Sequence, residues 1–345
     1  MNRLKKNSKK QKKFIKISNL ETPSPQPKGN IPLLSRGGKK RNKMKAPEKV
    51  TSITALHKYL NLKRPSHPLI SVFDFNEVNI DPETILSSVT TDFYVVSIKK
   101  DCAGRCKYGQ HYYDFEDGIM YFIAPHQVLQ FEDIMLAEVR GNVLVIHPDF
   151  LQGYPLASTI KDYGYFSYIA NEALYLSEKE EKSVTDILDN ISREIETNMD
   201  GFTQDLLVSN IDLLLKYCDR FYNRQFLTRK KVNHDLLTQL ESLLDDYFKN
   251  GKLLTDGIPT VQFVAAQMNI SPNYLSDMLR VHTGQTTQQH IQNRVIEKAK
   301  ELLSTTSMTV SEIAYHLGFE HPQSFHRLFK NQTTVSPLEF RKSFN

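Results

Sequence analysis

The chain has 345 residues, 40% hydrophobic and 24% charged, which is enough for two or three soluble globular domains. It has no apolar run of the length a membrane helix needs, and no apolar stretch follows the basic first residues, so neither a membrane span nor a secretory signal is expected. Three cysteines, Cys102, Cys106 and Cys218, are too few and odd in number for a disulfide framework and point to a reducing, cytoplasmic setting. The net charge of +5 hides a segregation: about 15 Lys/Arg against the lone acid Glu21 in residues 1–45, roughly −11 over 46–257, and about +2 over 258–345.

Residues 1–45 mix Lys/Arg clusters with Pro23, Pro25, Pro27 and Pro32 and have little apolar surface to bury, so a disordered basic tail is expected. Such a tail either holds phosphates without sequence preference or is simply solvated.

Residues 68–170 read as short strands. LISVFDF, DFYVVSIKK, GIMYFIAP, QVLQF and NVLVIHP are rich in Val, Ile, Phe and Tyr and are separated by turn-like stretches. That spacing suggests a sandwich or a barrel, and small barrels can enclose one ligand. At residue 171 the period becomes helical. Ser177 and Glu180 form a capping box before Val184, Ile187, Leu188, Ile191 and Ile195, and a second helix starts near Thr203. These two helices either cover the barrel or form a subunit interface. A further helix carries Leu236, Leu237, Leu240, Leu243, Leu244 and Tyr247, with Gly251 as its stop signal.

Residues 260–344 repeat one pattern twice. Val261, Val264, Ala265, Met268, Ile270, Leu275, Met278 and Leu279 form the first copy; Val310, Ile313, Ala314, Leu317, Phe319, Phe325, Leu328 and Phe329 form the second. Each copy predicts a helix, a tight turn and a second helix. Asn269 and Gly318 stand where the turn needs a residue that tolerates positive φ, and Ala265 and Ala314 stand where the helices cross closely. Pro272 and Pro322 suit the first turn of each second helix. Between the copies, residues 287–303 predict one continuous helix, able to hold two readers about one turn of B-DNA, roughly 34 Å, apart.

From about Leu236 to Asn345 the sequence resembles the DNA-binding domain of the AraC-type transcription regulators, through SPNYLSDMLRVHTGQT, RVIEKAKELLSTT and VSEIAYHLGFEHPQSFHRLFKNQTTVSPLEFR in that order. Phe340 stands where the family usually has Tyr. The segment before it is similar, more weakly, to the cupin-like sensing and dimerisation domain of many members. The resemblance implies an α+β multidomain chain: a disordered tail (1–45), a β-rich cupin-like barrel followed by two helices (46–225) and an all-α tandem helix-turn-helix domain (226–345). It also places base-reading residues at Asn273, Ser276 and Asp277, with Arg280 one turn on, and at Gln323, His326 and Arg327. Asn or Gln pairs with adenine, Arg with guanine, and Asp accepts from cytosine. Arg294 and Lys330 are candidate phosphate contacts.

The expected function is a sequence-specific activator or repressor acting on double-stranded DNA. RNA polymerase, a small-molecule effector and a second copy of the chain are candidate partners. The alternatives are a cupin-type enzyme fused to a DNA-binding domain and a ligand-independent architectural DNA-binding protein. Cys102, Cys106 and His111 have neither zinc-site nor redox spacing, His111, His126 and His147 are scattered singly, and no Walker loop, Rossmann fingerprint or G-x-S-x-G elbow occurs. No catalytic residue, metal ligand or cofactor is therefore expected.

Overall fold

The computed structural model describes residues 48–79, 88–100, 106–108, 111–113, 118–130, 140–169, 172–197, 200–249 and 251–344. The expectation of a disordered tail lies outside them, as does Cys102. The N-terminal part runs β1 (Glu48–Val50), α1 (Ile53–Tyr59), β2 (Ile70–Asp74), β3 (Ser88–Thr91), β4 (Tyr94–Lys99), β5 (Cys106–Tyr108), β6 (His111–Tyr113), β7 (Ile119–Ile123), β8 (Val128–Gln130), β9 (Asn142–Ile146), α2 (Leu156–Thr159) and β10 (Leu174–Tyr175). All five strand-like runs read from the sequence contain a strand.

These strands form three sheets, with orders β10-β7-β4-β9-β2, β1-β3-β8 and β5-β6. The main sheet is antiparallel throughout. Alternation along β2 and β9 decides both of its faces. Ile70, Leu144 and Ile146 join the large core on one side, while Phe73, Val143 and Val145 join a smaller core under α1 on the other. The expected cupin-like barrel is corrected here: among the described residues the sheet is open, with β2 and β10 as its edges and no pairing between them. The physical reason lies in what covers its face. Helix α3 (Glu178–Glu196) lies against β2 and β9, and α4 (Thr203–Thr228) against β10, so helices bury the apolar surface that a closing sheet would have buried.

The two helices are joined to one another as well as to the sheet. Glu180, which accepts the Ser177 N–H at the start of α3, also takes a bidentate grip from Arg224 of α4, at 3.1 and 2.6 Å. Val184, Leu188 and Ile191 meet Ile211, Leu214 and Leu215 in the same core.

The remaining helices are α5 (Lys230–Lys249), α6 (Lys252–Asp256), α7 (Val261–Gln267), α8 (Pro272–Thr283), α9 (Thr287–Thr305), α10 (Val310–His316), α11 (Pro322–Thr333) and α12 (Pro337–Lys342). They are divided between two cores. Val264, Ala265, Leu275, Met278, Leu279 and Ile291 belong to the same core as the sheet and α3–α4. Tyr247, Leu253, Ile296, Ala299, Ile313, Ala314, Phe325 and Phe329 form a separate one. The first helical unit is therefore built onto the N-terminal part, and the second stands on its own core.

Candidate nucleic-acid interface

The two units are made by the same local devices. Thr260 caps α7 by accepting the Phe263 N–H at 3.1 Å. Thr309 and Glu312 form a capping box at the start of α10, with the Thr309 N–H to Glu312 at 2.6 Å and the return bond at 3.2 Å. Each turn is closed by one bond across it, Ile270 N–H to the Ala265 carbonyl at 3.1 Å and Phe319 N–H to the Ala314 carbonyl at 3.0 Å. Both alanines are fully buried, which lets the helices cross closely. Asn269 has φ 55° and Gly318 φ 82°, the left-handed conformation the turn requires.

Helices α8 and α11 follow, each with proline in its first turn. Tyr274, Leu275, Met278 and Leu279 bury one face of α8; Phe325 and Phe329 bury one face of α11. Helix α9, 19 residues long and about 28 Å at the usual rise, joins the units. Ile291 packs it into the first core and Ile296, Ala299, Leu302 and Leu303 into the second.

The predicted reading residues fall into two environments. On α11, Gln323, His326, Arg327 and Lys330 are exposed, and among the described residues their side chains make no hydrogen bond or ion pair. Helix α8 is different. Asn273 donates to the Ser167 hydroxyl at 2.6 Å, and Asp277 accepts from the Tyr168 hydroxyl at 2.8 Å and from Arg280 at 3.0 Å. Ser276 shares a hydrogen bond with Thr287 at 3.0 Å. Arg294, on α9, is held by Asp245 and by Glu297, the latter at 2.8 Å.

The residues that meet α8 are among 163–169, which contain a short 3₁₀ turn, Gly164–Ser167, together with Glu172. Gly164 lies so close to α8 that a Cβ there would collide with the Asp277 carboxylate and stand 3.6 Å from the Asn273 Cβ. Glu172, 1% exposed, accepts from the Ser271 N–H at 2.6 Å and the Ser271 hydroxyl at 2.5 Å, at the cap of α8, and from the Ile169 N–H at 2.9 Å. Burial pushes the Glu172 carboxyl above the usual range, and the bonds from Ser271 and Ile169 pull it partly back. Burial, with the negative charge of Asp277, raises the Tyr168 phenol, which keeps it a proton donor at neutral pH.

Under these polar contacts runs an aromatic seam. Tyr168 packs on Tyr222 of α4 and Tyr274 of α8, both with ring centroids 5.2 Å apart, and Phe226 packs on Tyr274 at 5.2 Å. The sequence pattern put residues up to 170 in a strand-rich stretch, whereas 163–169 hold a 3₁₀ turn and no strand, and it gave them no part in the site. Their one local signal is the aromatic density of Tyr163, Tyr165, Phe166 and Tyr168.

Among the described residues, no group of three or more His, Cys, Asp or Glu could hold a metal ion, and no helix is long and apolar enough to cross a membrane. The side chains of Cys106 and His111 are not among those described.

Two capped helix-turn-helix units on one connecting helix make a tandem helix-turn-helix domain. Residues 264–343 match the family described as "Helix-turn-helix domain". The HTH-type transcriptional activators RhaS of Salmonella paratyphi B and Salmonella newport are 30% identical over 136 residues, which is 39% of this chain and 46% of each relative. The chain thus spans about half the length of the curated relatives it matches. Among solved structures, the C-terminal domain of the response regulator yesN from Fusobacterium nucleatum is 30% identical over 29% of this chain and 96% of its own, with a TM-score of 0.26. The C-terminal domain of AraT, a response regulator from Geobacillus stearothermophilus, is 30% identical over 30% and 84%, with a TM-score of 0.27. The sequence matches, not these scores, carry the likeness: the C-terminal part of the chain is similar to the helix-turn-helix domains of transcription regulators such as RhaS.

Proposed function

We propose that this protein is a sequence-specific DNA-binding transcription regulator that reads two successive major-groove segments through α8 and α11, under the control of its N-terminal part. The observation that carries this reading is the bare polar face of α11. Gln323, His326, Arg327 and Lys330 project from a helix whose opposite face is locked by Phe325 and Phe329. A rigid helix with free hydrogen-bonding side chains is what direct readout of base edges needs. Charge alone does not supply the affinity, because residues 258–345 carry a net charge of only about +2. Base contacts and helix N-termini must contribute.

Arg327 takes the role of guanine reader, and Lys330 that of a phosphate contact. On α8, Asn273, Ser276 and Asp277 are assigned to bases and Arg280 to the same groove; Arg294 reaches a phosphate only after leaving Asp245. The N-terminal sheet with α3 and α4 is the sensing and dimerising part, through which an effector or a second copy alters DNA binding. Activation, the role named for the RhaS relatives, is the expected outcome, through contact with RNA polymerase.

Selection from random duplex DNA tests this reading, and enrichment of a defined motif is the expected result. Arg327→Ala should then cost about 1–3 kcal/mol of binding and relax the preference at one base pair. An equal loss on all sequences removes the base-reading role, and absence of any enriched motif removes the regulator reading.

A further inference from the structure

We propose that residues 163–169 with Glu172 are a built-in competitor for DNA, occupying the reading face of α8 so that the docked chain reads only the half of its site that belongs to α11. The proposal rests on the regulator reading above and adds the device that controls it.

The segment grips α8 at three places. Ser167 holds Asn273, Tyr168 holds Asp277, and Glu172 holds Ser271. Asn273 and Asp277 are four residues apart and so lie on one face of the helix. Their polar groups are the ones assigned to base edges, and base edges need the same hydrogen-bonding distance that Ser167 and Tyr168 now fill. Glu172 adds a carboxylate at the cap of α8, the end of a helix where a phosphate would otherwise be attracted. Gly164 allows the backbone to approach where a Cβ would have to push the Asp277 carboxylate aside. DNA and the segment therefore cannot occupy this face together. The corresponding face of α11 carries no such cover, and the contrast between two units of the same design separates a competitor from ordinary domain packing.

The segment is also tied to the sheet. Gln127 donates to the Phe166 carbonyl at 2.9 Å while accepting the Ala124 N–H at 3.1 Å, and Phe122 of β7 packs edge-on against Phe166. A shift of the end of β7 is thereby passed to the residues that hold Asn273 and Asp277. An event in the N-terminal part that moves this loop has a direct route to unit one.

The test uses the full chain in three forms: wild type, Gly164→Val as a wedge, and Ser167→Ala/Tyr168→Phe, which removes two grips while keeping the ring of residue 168. Each is put through selection from random duplex DNA, and its affinity is measured on the full motif and on duplexes with either half scrambled. Wild type is expected to enrich the α11 half-site. Both variants should enrich a longer motif with a second half about one helical turn away, and should bind it roughly 5–150-fold tighter than wild type, the ordinary range for coupled sites. Affinity for the isolated α11 half-site should be unchanged in all three, and wild-type hydrogen-exchange protection in β7, α4 and α8 reports that the core carrying the changes is folded. Adding Asn273→Ala should abolish the gain. If wild type already reads both halves equally, or if folded variants gain nothing on the full motif, the competitor proposal fails while the regulator reading stands. If no form enriches a motif, the regulator reading itself fails.

Discussion

Gly318→Val is expected to unfold the second helix-turn-helix unit and leave the rest of the chain folded. Gly318 sits at φ 82°, and a Cβ there would come within 2.8 Å of both the Gly257 Cα and the Leu253 carbonyl. Both obstacles are backbone, so neither can swing aside. Strain at positive φ for a β-branched residue and overpacking against backbone each cost about 1–3 kcal/mol. Together they rival the stability of a unit whose core is a single small cluster of buried residues. Calorimetry should resolve the loss as the disappearance of one transition, with the transition of the N-terminal block in place. Binding to the α11 half-site should vanish with it. A variant that melts like wild type would show that the turn can relax in a way the close approach to Gly257 does not suggest.

Tyr274→Ala is expected to have the opposite distribution of effects. Tyr274 is 2% exposed and packs between Tyr168 and Phe226, so its removal leaves a cavity in the seam between the N-terminal part and α8. Aromatic truncations of this kind cost about 3–5 kcal/mol. Because Val96, Met120 and Leu144 of the sheet share one core with Leu275 and Met278 of α8, the cost falls on both. Hydrogen exchange should show loss of protection in β7, α4 and α8 together, while α11 keeps its own. Protection lost from α8 alone would contradict a continuous core. The two variants thus probe the two cores separately.

These two expectations concern different kinds of information. The glycine at the second turn, the asparagine at the first, the prolines opening α8 and α11, and the Ser177–Glu180 box are all visible in a stretch of about ten residues. Each is fixed by sterics and hydrogen bonds between near neighbours, which a linear pattern records. The helical periods of α3, α4 and α9 are legible for the same reason. Barrel closure was not: whether β2 meets β10 depends on where α3 and α4 settle, and a strand pattern carries no information about what covers its face.

The reading residues show the limit most clearly. Their helical positions followed from the sequence, and their proposed role from the resemblance: four lie on α8, Arg294 on α9 and four on α11. Their environments did not follow. Asn273 and Asp277 are held by Ser167 and Tyr168, 106 and 109 positions earlier in the chain, whereas Gln323, His326, Arg327 and Lys330 stand free of such partners. The sequence by itself determined two helix-turn-helix units and the residues that stand on their second helices, because turn chemistry and apolar spacing act over a few residues. Only the tertiary structure decided which of the two units is open, because that depends on a distant segment whose aromatic side chains gain more by packing against α8, Tyr222 and Phe226 than by facing water.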